Sequence, residues 1–128
     1  RIVIMSQEEN QTTMEMFLKR AVQNISKEAN TKRLAGLRES CSTTLELVQK
    51  YGVTPKKDDK DHLEQVDKAM NKLVITLKLA CESRQATTIS FALDCLQKLM
   101  AYGYIRTSIK DSANPERKLL DKVIEIIG

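Results

Sequence analysis

The stretch LACESRQATTISFALDCLQKLMAYGYI (Leu79–Ile105) decides the fold, because it contains the end of one helix, a polar corner and a second helix. At about 100° per residue, that second helix, from about Thr87 to Tyr102, has a core stripe on one side. The stripe comprises Ile89, Ala92, Leu93, Leu96, Leu99 and Met100. The opposite face is predicted to carry Phe91, Cys95 and Tyr102 around Lys98, with Asp94 and Ala101 beside them. A helix with apolar residues on two faces must cover both, so a neighbouring helix or a partner protein is expected there.

Composition and charge indicate one helical domain without a metal site. The 128 residues are 41% hydrophobic and 30% charged, with four glycines and two prolines, and helix-forming residue types are plentiful. The three cysteines form no CxxC pair, and His62, the single histidine, lies far from each of them in sequence. Free thiols in a reducing compartment are therefore predicted, with no cofactor. The net charge of +4 is spread along the chain, which favours a solvated surface over a nucleic-acid site.

Hydrophobic periodicity predicts about five helices within a single domain that covers residues 1–128. They are expected at about Thr13–Lys27, Thr31–Lys50, Asp61–Glu82, Thr87–Tyr102 and from Pro115 onward. The predicted start signals are Thr12 with Glu15, Asp61 with Glu64, and Asn114 before Pro115. Residues 1–11 are predicted to be disordered or a leader, and residues 52–60 to be a linker in which Gly52 follows the second helix.

The order of the helices suggests an α-solenoid of adjacent antiparallel pairs rather than a closed bundle. The fifth helix remains apolar up to Ile127, just before the sequence stops at Gly128. A solenoid cut at that point leaves one face uncovered. The sequence is therefore expected to be a fragment of a longer protein, truncated at its C-terminus.

No pattern of residues predicts catalysis. The four scattered glycines form no phosphate-binding loop, and no GxSxG or HExxH pattern occurs. Glu82 and Asp94 are expected to be surface charges on separate helices rather than paired catalytic acids. The chain is thus predicted not to be an enzyme, and the second face of the fourth helix is the candidate site. That face either packs inside the protein or binds a partner through Tyr102 and Lys98, with Asp94 spaced to pair with Lys98.

The run LDCLQKLMAYGYI (Leu93–Ile105) resembles part of the N-terminal dimerisation and cyclophilin-binding domain of the large brefeldin A-inhibited Arf guanine-nucleotide exchange factors. Other segments are similar in the same order: FLKRAVQNI (Phe17–Ile25), LRESCSTTLELV (Leu37–Val48), LACES (Leu79–Ser83) and KLLDKVIEII (Lys118–Ile127). Two departures are a shorter linker at Gly52–Lys60 and aliphatic residues at Met70–Thr76, where the family has aromatic ones. The second departure weakens the expectation of a partner contact from the third helix.

The resemblance implies an armadillo-like helical domain without exchange activity of its own. It implies self-association, cyclophilin binding, and binding of a GTP-loaded Arf-like small GTPase that places the exchange factor on the cytoplasmic side of the trans-Golgi membrane. Lys98 matches the lysine of the family's Asp-Cys-Leu-Gln-Lys run. The predicted partner-binding residues are Lys98, Asp94, Tyr102, Ala101, Phe91, Cys95 and Lys72.

Two other functions remain open from the sequence. The domain could mainly mediate homodimerisation or act as an intramolecular scaffold, without binding a GTPase directly. It could also bind anionic lipid through its small basic clusters, in which case liposome association would be salt-sensitive.

Overall fold

Helices make up most of the computed structural model, which describes residues 7–53, 59–102, 104–105, 109–112 and 114–127, with residues 7–13 and 114–117 as backbone only. The α-helices are α1 (Gln7–Glu28), α2 (Ala35–Tyr51), α3 (Lys60–Cys81), α4 (Ala86–Ala101) and α5 (Leu119–Ile127). A 3-10 turn spans Lys32–Leu34, and two short strands are β1 (Lys110–Asp111) and β2 (Asn114–Lys118). The prediction of a helical protein with five α-helices is confirmed for the described residues.

The four long helices surround a common apolar core. Helix α2 packs against α1 and α3, and α4 packs against α3 and α1, while α5 lies against α3 and α4. Helices α2 and α3 are antiparallel, since Tyr51 contacts His62 at one end and Ser40 contacts Thr76 at the other. This packing is consistent with the predicted solenoid of antiparallel helical pairs. The direct contact between α1 and α4 is typical of a helical bundle, and the periodicity did not predict it. The armadillo-like assignment stays a prediction.

Three helices begin earlier than the sequence predicted, α4 by one residue, at Ala86 rather than Thr87. Helix α1 begins at Gln7 rather than Thr13, so residues 7–11 are helical rather than disordered, and residues 1–6 lie outside the described residues. Helix α3 begins at Lys60, not Asp61, and its N-cap is Asp59, whose Oδ1 accepts a hydrogen bond of 3.0 Å from the His62 N–H. The extended backbone of Asp59 allows its carboxylate to reach that N–H. Residues 54–58 of the predicted linker lie outside the described residues.

The predicted start of the fifth helix is wrong, because Asn114 begins strand β2 and α5 starts only at Leu119. Strand β2 pairs antiparallel with β1, with Lys110 opposite Lys118. The buried side chain of Asn71 on α3 holds this ribbon: its Nδ2 donates to the Lys110 carbonyl at 3.0 Å, and its Oδ1 accepts from the Ser112 N–H at 2.9 Å. These long-range hydrogen bonds favour a strand over an earlier helix start, and local sequence does not reveal them.

The segment Met70–Thr76 is part of the core rather than a contact surface. Met70, Leu73 and Val74 are fully buried. Thr76 faces α2, where its Oγ1 lies 2.6 Å from Ser40 Oγ and 2.7 Å from Thr44 Oγ1. The aliphatic residues that depart from the family pattern therefore fill the interior, and the buried hydroxyl groups satisfy one another.

Gly52 ends α2 in a backbone conformation that favours glycine, as the sequence predicted. Its φ is +75° with ψ −168°, and its N–H donates to the Val48 carbonyl at 2.8 Å. A Cβ at this position would lie 2.6 Å from Glu15 Oε1.

Replacing Gly52 with alanine is expected to reduce the free energy of unfolding by about 1–3 kcal/mol, because a non-glycine residue is strained in this region and Glu15 must move. Urea denaturation followed by circular dichroism measures the change. The matched control is Gly36→Ala within α2, where a Cβ meets nothing within 4 Å. That control is expected to stabilise the domain by about 0.5–1 kcal/mol. Equal effects of the two substitutions would contradict the role of the Gly52 conformation.

Candidate interaction surface

The buried face of α4 is rotated from the predicted stripe. Its buried residues are Thr88, Ala92, Cys95, Leu96 and Leu99. The stripe had instead included Met100, whose side chain is 36% exposed. The reason is the contact between α4 and α1, which covers the side of α4 that the sequence left open. Part of the second apolar face of α4 is thus covered by α1 of the same chain.

Cys95 was predicted to contact a partner, but it is buried within the folded chain. Its side chain is 0% exposed. Burial is the main reason that the pKa of the Cys95 thiol is raised to about 12, the neighbouring Asp94 carboxylate raises it further, and the Lys98 ammonium partly lowers it. A buried thiol of this kind packs like a small apolar side chain.

Lys98 lies where α4 meets α1. Its Nζ is 4.2 Å from the centroid of the Phe17 ring and 3.5 Å from Asp94 Oδ2. The side chains of Lys98 and Asp94 remain 43% and 57% exposed, so their predicted pairing is confirmed but contributes only about 0.3–0.5 kcal/mol. The ammonium is held on the protein surface and still faces solvent.

Around Lys98 lies a group of aromatic and small side chains that we call the α1–α4 surface. Its members are Phe17 from α1, Phe91, Asp94, Lys98 and Ala101 from α4, and Tyr102 at the end of α4. The ring of Tyr102 is 69% exposed, whereas Phe17 and Phe91 are half-buried against the core. The surface therefore combines one exposed aromatic side chain with one partly exposed cation.

Sequence reasoning missed Phe17, although it predicted the other five members of the surface. The periodicity of α1 assigned Phe17 to the core stripe with Leu18 and Val22, which are fully buried. At about 100° per residue, Phe17 lies at the edge of that stripe. The edge position could have indicated that Phe17 is partly exposed. That it contacts Lys98 could be seen only once α4 was known to pack against α1.

Lys72 is not brought together with Lys98. It lies one turn before Thr76, whose Oγ1 donates to the Lys72 carbonyl at 2.9 Å and contacts the α2 hydroxyl groups. Lys72 is therefore on the α2 side of α3, whereas Lys98 is on the α1 side of α4. Of the predicted partner-binding residues, Lys72 on α3 thus lies apart from those on α4.

Within the part of the chain that the structure describes, no group of three or more His, Cys, Asp or Glu side chains could hold a metal ion. Among the described helices, none is long and apolar enough to cross a membrane.

A helical fold with an exposed aromatic residue beside a positioned lysine is typical of a protein-interaction domain. The chain belongs to the family described as the Mon2/Sec7/BIG1-like dimerisation and cyclophilin-binding domain, whose model matches residues 9–127. This membership confirms the resemblance seen in the sequence. No solved structure matches the chain.

The curated relatives are brefeldin A-inhibited guanine nucleotide-exchange proteins. Protein 1 of this name from rat is 33% identical over 136 residues, which cover 93% of this chain and 7% of the relative. The human protein 1 is 33% identical over 137 residues, with the same coverage. Protein 3 from Arabidopsis thaliana is 50% identical over 36 residues, 28% of this chain and 2% of the relative. The chain therefore spans a small part of the length of its relatives.

Proposed function

We propose that this chain is a non-catalytic targeting and regulatory domain of an Arf guanine-nucleotide exchange factor. It binds a GTP-loaded Arf-like small GTPase through the α1–α4 surface and thereby recruits the exchange factor to the trans-Golgi network. The observation that carries the proposal is that Tyr102, which is 69% exposed, follows one helical turn after Lys98, whose ammonium lies against the Phe17 ring of the same surface. The exchange activity named in the relatives is proposed for another part of the full-length protein.

The side chains of this surface suit an apolar partner with an acceptor group. Tyr102 supplies a large rigid ring and a hydroxyl group, a combination that is enriched at binding hot spots. The ammonium of Lys98 has three donors, and Asp94 takes only one side of it. An active GTPase presents an apolar switch surface, and the GTP dependence would come from its switch segments rather than from this domain.

The proposal is tested by measuring binding to GTP-locked and GDP-locked forms of a candidate Arf-like GTPase by isothermal titration calorimetry. The GTP-locked form is expected to bind and the GDP-locked form to bind much more weakly. Tyr102→Ala is expected to cost about 2 kcal/mol of binding free energy and Lys98→Ala about 1–2 kcal/mol, as for residues near the centre of an interface.

The matched control is Lys72→Ala, which removes a half-buried lysine from the α2 side of α3. It is expected to leave the affinity unchanged. Equal binding of both nucleotide forms, or unchanged affinity in folded Lys98→Ala and Tyr102→Ala variants, would count against the proposal.

Self-association is the second candidate function, and the exposed part of α5 favours it. The family description includes dimerisation, and Ile124 on α5 is 51% exposed beside half-buried Ile126 and Ile127. Light scattering at several concentrations tests it. A concentration-dependent dimer that Ile124→Lys abolishes would support self-association, whereas a monomer that binds the GTPase would leave only the first function.

Cyclophilin binding is proposed on the family description alone.

A further inference from the structure

The Phe17 ring and the Lys98 ammonium form a contact between two helices that are distant in sequence. The Nζ atom lies 4.2 Å from the ring centroid, well within the range in which a cation is attracted to an aromatic face. Asp94 approaches the same ammonium at 3.5 Å from within α4. Lys98 is therefore contacted from α1 by a ring and from its own helix by a carboxylate.

A lysine side chain has many rotamers, and binding a partner through a free lysine requires most of them to be given up. A ring that already holds the ammonium reduces that loss before the partner arrives. The carboxylate of Asp94 alone is a weaker restraint, because exposed pairs of this kind are strongly screened by water and salt. The Phe17 ring is half-buried and packed against the core, so it provides a fixed platform.

We propose that Phe17 is a positioning residue of the α1–α4 surface: its ring holds the Lys98 ammonium in the orientation that binds the partner. The inference rests on the proposed function, and it gives Phe17 of α1 a role that is exerted through Lys98 rather than through direct contact with the partner. Phe17 acts through Lys98, and its effect on affinity should therefore vanish when Lys98 is absent.

The geometry is tested first without any partner, by the proton chemical shifts of the lysine Cε methylene groups in solution. Protons above an aromatic face are shifted upfield, so a strongly shifted lysine signal is expected that disappears in Lys98→Met. A weaker shift is expected for Lys50, whose Nζ lies 5.2 Å from the Tyr51 ring centroid, and this signal should remain in Lys98→Met. The Lys98 signal is expected to return to the common lysine position in Phe17→Leu and to stay upfield in Phe17→Tyr. Phe91→Leu, which removes the chain's other phenylalanine, is the matched control and should leave the signal upfield.

Affinity is then measured in a double-mutant cycle with the GTP-locked GTPase. Phe17→Leu is expected to weaken binding by about 2- to 5-fold, the range for a partly exposed cation–ring contact. Phe17→Tyr should retain the parent affinity. In the Lys98→Met background, Phe17→Leu should have no further effect. Thermal unfolding of each variant confirms that the comparison is made between folded proteins.

The outcomes separate this inference from the proposed function. The positioning role is overturned if the Lys98 methylene protons of the parent protein have the chemical shift of the other lysines. It is also overturned if Phe17→Leu reduces the affinity equally in the parent and in the Lys98→Met background. Either result leaves the proposed function intact. The shift measured in the parent alone decides the geometry even if Phe17→Leu does not fold. Failure of the parent to bind the GTPase overturns the proposed function and this inference with it.

Discussion

The free energy of unfolding is expected to fall steeply as the pH rises above 9, because two buried thiols resist ionisation in the folded protein. Burial raises the pKa of Cys41 from 9.0 to about 11, and burial together with Asp94 raises that of Cys95 from 9.0 to about 12. Between pH 9 and pH 11 the unfolded chain releases both protons while the folded protein keeps them. Stability therefore falls by about 1.4 kcal/mol per pH unit for each thiol, and it is fully present below pH 9.

Urea denaturation at pH 8, 9 and 10, followed by circular dichroism, measures this slope. A Cys41→Ala, Cys95→Ala double variant is expected to be less stable at every pH but to lose most of the slope. Cys81→Ala is the matched control, because Cys81 is only half-buried and is expected to contribute a smaller part. Tyr104, whose pKa is also raised, is present in all variants and cancels in the comparison. Parallel slopes in the parent and the double variant would refute the role assigned to the thiols.

Replacing Lys122 with methionine is expected to reduce the free energy of unfolding by about 3 kcal/mol, because it removes one partner from a buried ion pair. The Lys122 Nζ lies 3.1 Å from Asp111 Oδ1, and the two side chains are only 11% and 4% exposed. This pair joins α5 to β1, so the substitution removes the Lys122 ammonium from a buried carboxylate. We also expect α5 and the ribbon to become more mobile than α1–α4.

Chemical denaturation measures the loss, and amide hydrogen exchange locates it. Lys118→Met removes an exposed lysine from the neighbouring strand and is expected to change stability by less than about 0.5 kcal/mol. Removing both charges, with Asp111→Asn and Lys122→Met, should recover part of the loss, since the buried carboxylate charge is then removed as well. A double variant no more stable than Lys122→Met alone would argue against the ion pair as the cause.

The candidate surface was predicted in part from the sequence, and the parts that were found are local. The spacing of Asp94 and Lys98 on one helix was enough to predict their contact, because residues four apart are neighbours on a helix. The helical periodicity also predicted that Tyr102 lies on the face of α4 opposite the core stripe. The sequence left open whether Cys95 is buried, and the ring contact of Lys98 was missed, because it depends on α1, which lies about 80 residues earlier in the chain.

The sequence by itself determined the helical class, the family and the five α-helices, because hydrophobic periodicity and capping chemistry act within a few residues. It did not determine which helices pack together, nor that Asn114 belongs to a strand paired with β1, which Asn71 holds. Only the tertiary structure decided that α1 covers one side of α4 and gives Lys98 its ring partner. The physical reason is that the covering of an apolar face depends on contacts between distant segments, which a pattern along one helix does not contain.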